Sequence, residues 1–275
     1  MTIKADHNAT LLRLRRSGLI RLKAIRKGSA RGRLQSIFRF YGQLNDFLPK
    51  RYRNRDLGFT FLGQPTVGET IERIGPPHPE IARIIIDGEN ASWDCRLGGG
   101  ERVAIYPKMQ WQEANTLLPR YRGEPRFVLD VHLGKLARFL RLLGFDSLFR
   151  PDLSDPEIAR ISATQNRIVL TRDMGLLKRK SIVHGYFPRT TKPKSQLHEI
   201  VTQFDIAAFS QPFTRCLDCN GRLVSAQKAT VVDDIPASVF HRYEKFARCD
   251  QCTKVFWEGG HYQDMKRFIA EILQN

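Results

Sequence analysis

Apolar positions along the chain change period several times, and each change marks an element. Ile37-Phe38-Arg39-Phe40-Tyr41 alternates like a strand, and Phe59-Thr60-Phe61-Leu62 after Gly58 reads as its hairpin partner. Thr66 with Glu69 three residues on opens a short helix. Ile84-Ile85-Ile86 is a strand running into Asp87-Gly88, and Gly98 to Gly100 read as a hairpin turn before a last strand through Val103 and Ile105. From Arg126 short apolar runs alternate with helical spacing. The runs close at Leu129, Phe149 and Thr171, while Leu133, Leu136, Ala137, Leu140 and Leu143 keep helical spacing up to Gly144. Asp155-Pro156-Glu157 opens a helix to about Gln165, Ile182-Val183 begins another strand, and Leu197 to Phe204 makes a last helix. Repeated β–α units imply an α/β fold with a parallel sheet and helices on both faces.

With 275 residues the chain has room for about two average domains. A 41% hydrophobic, 27% charged composition suits packed cores, and no apolar run reaches the roughly 18 residues that cross a bilayer. The net charge of +17 is unevenly spread. Residues 1–35 carry ten Lys/Arg against one acid and residues 109–210 sixteen against ten, whereas the other segments nearly balance. Such a localised excess is the footprint of a protein that meets a polyanion. Residues 1–35 read as a basic flexible arm; Leu11, Leu14, Leu22 and Ile25 can share one side of a helix, so a nucleic-acid or membrane-surface helix and a targeting segment compete with that reading. The arm lacks the continuous apolar core of a secretory signal, which places the protein in the cytoplasm.

Four of the five cysteines stand in two pairs, Cys216-x-x-Cys219 and Cys249-x-x-Cys252, with 29 residues between them. Each pair can form a knuckle, and two knuckles complete a tetrahedral S4 site for structural Zn2+, leaving no position for water or substrate. The long gap implies an inserted hairpin or helix around Pro236 to Phe246. Cys95 is isolated and reads as a small buried hydrophobe.

In a parallel sheet the carboxyl ends of the strands form the ligand crevice. Asp130 and Asp173 immediately follow the first and third strands of the 126–210 region, and both face one crevice if those strands are neighbours. Asp155 and Glu157 begin the helix on the same rim. Carboxylates brought together repel one another unless cations neutralise them, and Mg2+ or Mn2+ with oxygen ligands resolves the conflict. Such ions can activate water against a phosphodiester. Helix capping competes at each position: Asp155 before Pro156 has an N-cap signature, and Asp130 and Asp173 can cap too. Asp146 reads as a turn residue, and His132 and His184 as ordinary polar positions. Lys135, Arg138, Arg172 and Lys178 are candidates to grip a nucleic-acid backbone, a solvated face being the alternative.

Two strands, a helix and further strands over residues 36–108 resemble a ubiquitin-like β-grasp domain of the sulfur-carrier type. The chain continues past Pro107, so the likeness is to the fold and not to the carrier chemistry, and the domain reads as a docking module for a protein partner. Phe127-Val128-Leu129-Asp130 through Leu143-Gly144-Phe145-Asp146 resembles the opening signature of the Mut-7 C-terminal RNase domain family, whose domains resemble PIN-like nucleases. Ile168-Val169-Leu170-Thr171-Arg172-Asp173 is similar to its second acidic motif, and the cysteine pairs with Phe256-Trp257 and His261-Tyr262 to its zinc-ribbon end. The resemblance implies a PIN-like three-layer α/β/α RNase domain over 126–210, a linker over 109–125 and a zinc ribbon over 211–275. It implies a metal-dependent ribonuclease acting on RNA, with Asp130, Asp173 and either Asp155 or Glu157 holding Mg2+ or Mn2+. A non-catalytic RNA- or ribosome-associated adaptor and a toxin-type nuclease are the alternatives.

Overall fold

A computed structural model describes residues 32–108, Leu117 and residues 121–274; Leu11, Leu14, Leu22 and Ile25 of the expected arm and most of the expected linker lie outside the described residues. The chain divides into two compact units, one running to Pro76 and resuming over Ile81–Pro107, the other made of Pro77–Glu80 and everything from Lys108.

The first unit holds strands β1 (Leu34–Phe40), β2 (Leu57–Phe61), β3 (Ile81–Ile86), β4 (Glu89–Ala91) and β5 (Arg102–Pro107), with helix α1 (Val67–Ile74). Their order is β2-β1-β5-β3-β4, with β1 and β5 parallel and the remaining pairs antiparallel. This mixed sheet is consistent with a β-grasp. Alternation in β1 buries Phe38 and Phe40 with Ile71, Ile84 and Ile105. The expected capping box forms at α1, where Thr66 Oγ1 accepts the Glu69 N–H and a Glu69 oxygen accepts the Thr66 N–H.

Gly98 to Gly100 do not make a hairpin turn. β4 pairs with β3, and β5 lies between β1 and β3, so the glycines belong to a connection that carries the chain into the middle of the sheet. Gly98 and Gly99 donate their N–H groups to the Glu101 carboxylate at 2.6 and 3.0 Å, and the Ser36 hydroxyl binds the same group. The loop thus wraps an acid of its own chain. Cys95 is half-buried rather than buried.

The second unit contains β6 (Phe127–Leu129), α2 (Gly134–Leu142), β7 (Ser147–Phe149), α3 (Asp155–Gln165), β8 (Ile168–Leu170), α4 (Met174–Leu177), β9 (Gly185–Tyr186) and α5 (Pro193–Phe204). All four strands are parallel, in the order β7-β6-β8-β9. Phe127 and Leu129 face Leu136, Leu140, Leu197 and Ile200, whereas Val128 faces Ile158, Leu176 and Ile182. Helices therefore cover both faces, the three-layer arrangement. The strand expected at Ile182-Val183 lies instead at Gly185–Tyr186. Ile182 closes the turn after α4, its N–H bonded to Arg179 O, and buries its side chain under the sheet. Gly185 suits the strand because a Cβ there would sit 2.6 Å from a Leu177 methyl.

A third sheet follows within the same unit: β10 (Leu223–Ala226), β11 (Phe246–Cys249) and β12 (Val255–Trp257), antiparallel in that order. The gap between the cysteine pairs contains β10 and the short helix α6 (Ala237–Arg242). A last helix, α7 (Gly260–Leu273), returns Ile269 and Ile272 to the core beneath the parallel sheet. The sequence reading did not identify α7. Among the described residues no helix is long and apolar enough to cross a membrane.

Asp146 is more than a turn residue. At the amino edge of the parallel sheet Arg167 grips it with two hydrogen bonds, 2.8 and 2.9 Å, and Asn220 Nδ2 adds a third at 2.7 Å. Burial pushes the Asp146 carboxyl up, but these bonds and the charges of Arg167 and Arg215 outweigh it and hold the group below the ordinary aspartate range. Its contribution to stability is therefore complete above the ordinary value of about 3.9 and is lost as pH falls through the lower folded value. Asp146→Ala is expected to cost about 3–5 kcal/mol at neutral pH, because Arg167 stays buried without its counter-ion. Asp146→Asn should flatten the acid limb of the stability profile; an unchanged limb in denaturant titrations would rule this out.

Candidate functional site

The register of the parallel sheet assembles the candidate site. Leu129 pairs with Leu170, so the residues that follow them emerge side by side at the carboxyl edge. β6 is the first strand of its sheet, and its two successors pair on opposite sides of it. The β6/β8 boundary is therefore the topological switch point, where the diverging connections open a crevice. Asp130 stands there, buried, with Oδ1 accepting the Val131 N–H at 2.6 Å and Oδ2 accepting the Thr171 hydroxyl at 2.8 Å. The Thr171 oxygen in turn accepts the Asp173 N–H at 2.8 Å. One fully buried hydroxyl thereby holds one carboxylate and the backbone of the next.

Asp173 is exposed and caps α4, Oδ1 accepting the N–H groups of Gly175 and Leu176 at 2.6 and 3.2 Å. Capping at α3 is displaced by one residue from the expectation. Ser154 is the N-cap and Asp155 the first helical residue, and Glu157 Oε2 accepts both the N–H and the hydroxyl of Ser154, at 2.9 and 2.6 Å. Those bonds hold the Glu157 carboxyl below its usual range. Asp155 lies outside this cap. Burial first, and then the charges of Asp173 and Asp130, push the Asp155 carboxyl above the ordinary range, against the pull of Arg179. The three aspartates therefore share one rim electrostatically.

The four basic candidates are placed differently from one another. Lys135 is exposed on the first turn of α2. Arg138 is ion-paired with Asp218 at 3.3 Å. Arg172 is turned inward: its Nη1 donates to the carbonyls of Pro188, Arg189 and Thr190, and its guanidinium stacks over Phe187 at 5.1 Å. Lys178 is half-buried at the end of α4.

The cysteine quartet is gathered as its spacing implied, with all four Sγ atoms within 4.8 Å of one another. Cys216 and Cys252 approach to 3.7 Å and Cys219 and Cys249 to 3.3 Å. A tetrahedral ion with Zn–S bonds of about 2.3 Å needs sulfurs about 3.8 Å apart, so the quartet fits structural zinc. Backbone N–H groups of Gly221 and Gln251 point at Cys219 and Cys249 Sγ, each at 3.4 Å. Gly221 is required by space, since a Cβ would come within 2.6 Å of Cys249 Sγ. Among the described residues no other group of three or more ligand side chains is gathered closely enough to hold an ion as it stands; the aspartates share an edge without closing to that degree.

Arg141 ties this knuckle to the parallel-sheet domain, and sequence reasoning missed it. Its guanidinium is buried in α2 and donates to the carbonyls of Ser147, Leu217 and Asp218 at 3.0, 3.0 and 2.8 Å. Burial lowers its pKa, against the charges of Cys216, Cys219 and Asp218. The signal was present, because Arg141 lies four residues after Ala137 on the apolar face of the helix. An arginine at such a position needs acceptors from elsewhere in the fold. Asn220 completes the junction by accepting the Ser147 N–H at 2.8 Å.

The comparisons with known proteins agree with this architecture. A family model described as the Mut7-C RNAse domain matches residues 125–269, and one described as Mut7-C ubiquitin matches residues 35–113. No curated protein and no solved structure compared with the chain matches it.

Proposed function

Because the chain belongs to the Mut7-C RNAse domain family, we propose that it is a metal-dependent ribonuclease whose reaction takes place at the carboxyl edge of β6 and β8. The observation that carries this reading is the placement of Asp130, Asp155 and Asp173 on one rim at the switch point, close enough for two of them to raise the pKa of the third. The charges of Asp173 and Asp130 add to burial in raising Asp155 against the pull of Arg179, so the rim favours a cation, and a donor set made only of carboxylate oxygens suits Mg2+ or Mn2+. Asp130, Asp173 and Asp155 would hold the ion or ions, Asp155 being preferred to Glu157 because the cap occupies the Glu157 carboxylate. When bound, such an ion supplies Lewis acidity and a water of lowered pKa for attack on phosphorus.

The chain's own residues then have separable tasks. Thr171 fixes the orientation of Asp130 and the backbone position of Asp173. Lys135, one turn beyond Asp130, takes a backbone phosphate of the RNA. Arg138 adds to that field while shared with Asp218, Arg172 shapes the segment 188–190 beside the crevice, and Lys178 contributes charge at its far side.

Two measurements test the reading. Protein that keeps its zinc but is freed of Mg2+ and Mn2+ is incubated with single- and double-stranded RNA, with and without added Mn2+. Cleavage is expected only with the ion; tight RNA binding without cleavage in any metal would replace the nuclease by an adaptor. Thr171→Val is expected to cost about 1–3 kcal/mol in stability through the bond lost to buried Asp130 and to depress cleavage, whereas Thr171→Ser retains both. Equal cleavage by the valine and serine variants would remove Thr171 from the mechanism.

A further inference from the structure

The first unit carries an open sheet face that the nuclease reading does not use. Phe38, Phe40, Val103, Ile105 and Ile84 bury one side of β1, β5 and β3, so alternation sends their neighbours to the other side. Register then places these neighbours in rows. Tyr106 pairs with Arg83, and Tyr41, next after the Phe40–Ile105 pair, lies on its other flank. The adjoining row is Arg39, Ala104 and Ile85, and the row beyond contains Ile37 and Arg102.

The rings of Tyr41 and Tyr106 are stacked, with centroids 4.6 Å apart and planes 3° from parallel. Arg39 reaches the Tyr41 ring at 5.8 Å. Tyr41 is 38% exposed and Arg83 is exposed. A groove of about 220 Å³ runs along this face between Tyr41 and Arg102. Of the residues lining the groove the one acid is Asp56, which the β1–β2 register sets beside Arg39, and arginines occupy it. Asp56 pairs with Arg102 at 2.8 Å and Arg39 at 3.7 Å, and Asp87 accepts the Arg102 N–H.

We propose that this face is a second RNA-binding surface that stacks the bases of a single strand on the Tyr41–Tyr106 pair while Arg39 and Arg83 hold its phosphates. Preformed stacks of aromatic and guanidinium planes on an open sheet suit unpaired bases, and a duplex, whose bases are already stacked, has no use for them. The choice of RNA over other single strands rests on the ribonuclease reading; the stacking surface does not. The face would keep hold of a strand whose other part lies in the crevice, raising effective concentration there.

The test uses the full chain and labelled oligo(U) without Mg2+ or Mn2+, so that binding is read in the absence of cleavage. Tyr106→Ala and Tyr41→Ala are expected to weaken binding by about tenfold, and Tyr41→Phe to leave it unchanged. Arg39→Ala and Arg83→Ala should each reduce the salt slope of the affinity by about 0.7. A thiouridine placed in the oligonucleotide should crosslink to peptides containing Tyr41 or Tyr106. Wild-type affinity in both alanine variants, with unfolding curves showing them intact, overturns the proposal. So do crosslinks confined to residues 127–178. Failure of the wild-type protein to cleave RNA would sink the nuclease reading and leave this binding result standing.

Discussion

Asp130→Asn and Asp173→Asn are each expected to lower ion-dependent RNA cleavage by about a thousandfold or more, equivalent to roughly 4 kcal/mol of transition-state stabilisation, while the protein stays folded. The reason for both halves lies in what an amide can and cannot do. Asn presents one carbonyl oxygen, so at position 130 it can still accept from Val131 N–H or the Thr171 hydroxyl, and at position 173 it remains a good N-cap for α4. What it loses is the negative charge and one of two hard oxygen donors. If the carboxylates are there to hold a divalent ion, these two losses fall on the chemistry and not on the fold. If they are there only to cap, the variants behave like wild type. Asp155→Asn should do the same with a smaller structural footprint, because Asp155 takes no part in the Ser154–Glu157 cap. Glu157→Gln, by contrast, should leave cleavage intact. Cleavage of RNA at wild-type rates by the 130 and 173 variants, with ion dependence retained, would remove the carboxylate rim from the chemistry.

Much of this was legible in the chain because the relevant signals are local. The apolar runs ending at Asp130 and Asp173 located two strand ends, and the β–α alternation implied that the strands are parallel. The order of the strands was not legible. That β8 pairs with β6, bringing the two aspartates together, is decided by how helices α2 and α3 pack on opposite faces. Three-residue strands also leave almost no periodicity to read, which is why Ile182-Val183 looked like a strand and Gly185–Tyr186 did not. At Asp155 the Pro signature suggested a cap, but Ser154 with Glu157 makes a two-way capping box one residue earlier and wins the position. The inward turn of Arg172 could not be foreseen, since its carbonyl acceptors lie 16 to 18 residues further along the chain.

Removing the zinc site is expected to have the largest effect on stability, and the ribbon's own composition explains why. Its core consists of Val231, Ile235, Phe246 and Val255. Burying each contributes about 1.5–3 kcal/mol, a total that an S4 zinc site, worth on the order of 10–16 kcal/mol in small domains, matches or exceeds. A Cys219→Ser/Cys249→Ser variant, or treatment with a zinc-selective chelator, should therefore release one zinc per chain and unfold β10 to β12. The effect should propagate through Arg141, which would lose its bonds to Leu217 and Asp218, and through α7, whose Ile269 and Ile272 are anchored in the neighbouring core. Each lost bond or exposed isoleucine costs the parallel-sheet domain about 1–3 kcal/mol. Amide exchange should accordingly rise steeply over residues 216–257, and by less in α2. The carboxylate rim is built by β6, β8 and Thr171, so its hydrogen bonds should survive at temperatures below the lowered midpoint. A chelated protein that keeps wild-type exchange over the ribbon would mean that the cysteines are dispensable to the fold. If the ribbon melts and cleavage persists with added Mn2+, the two metal requirements are separable, as their different donor atoms demand.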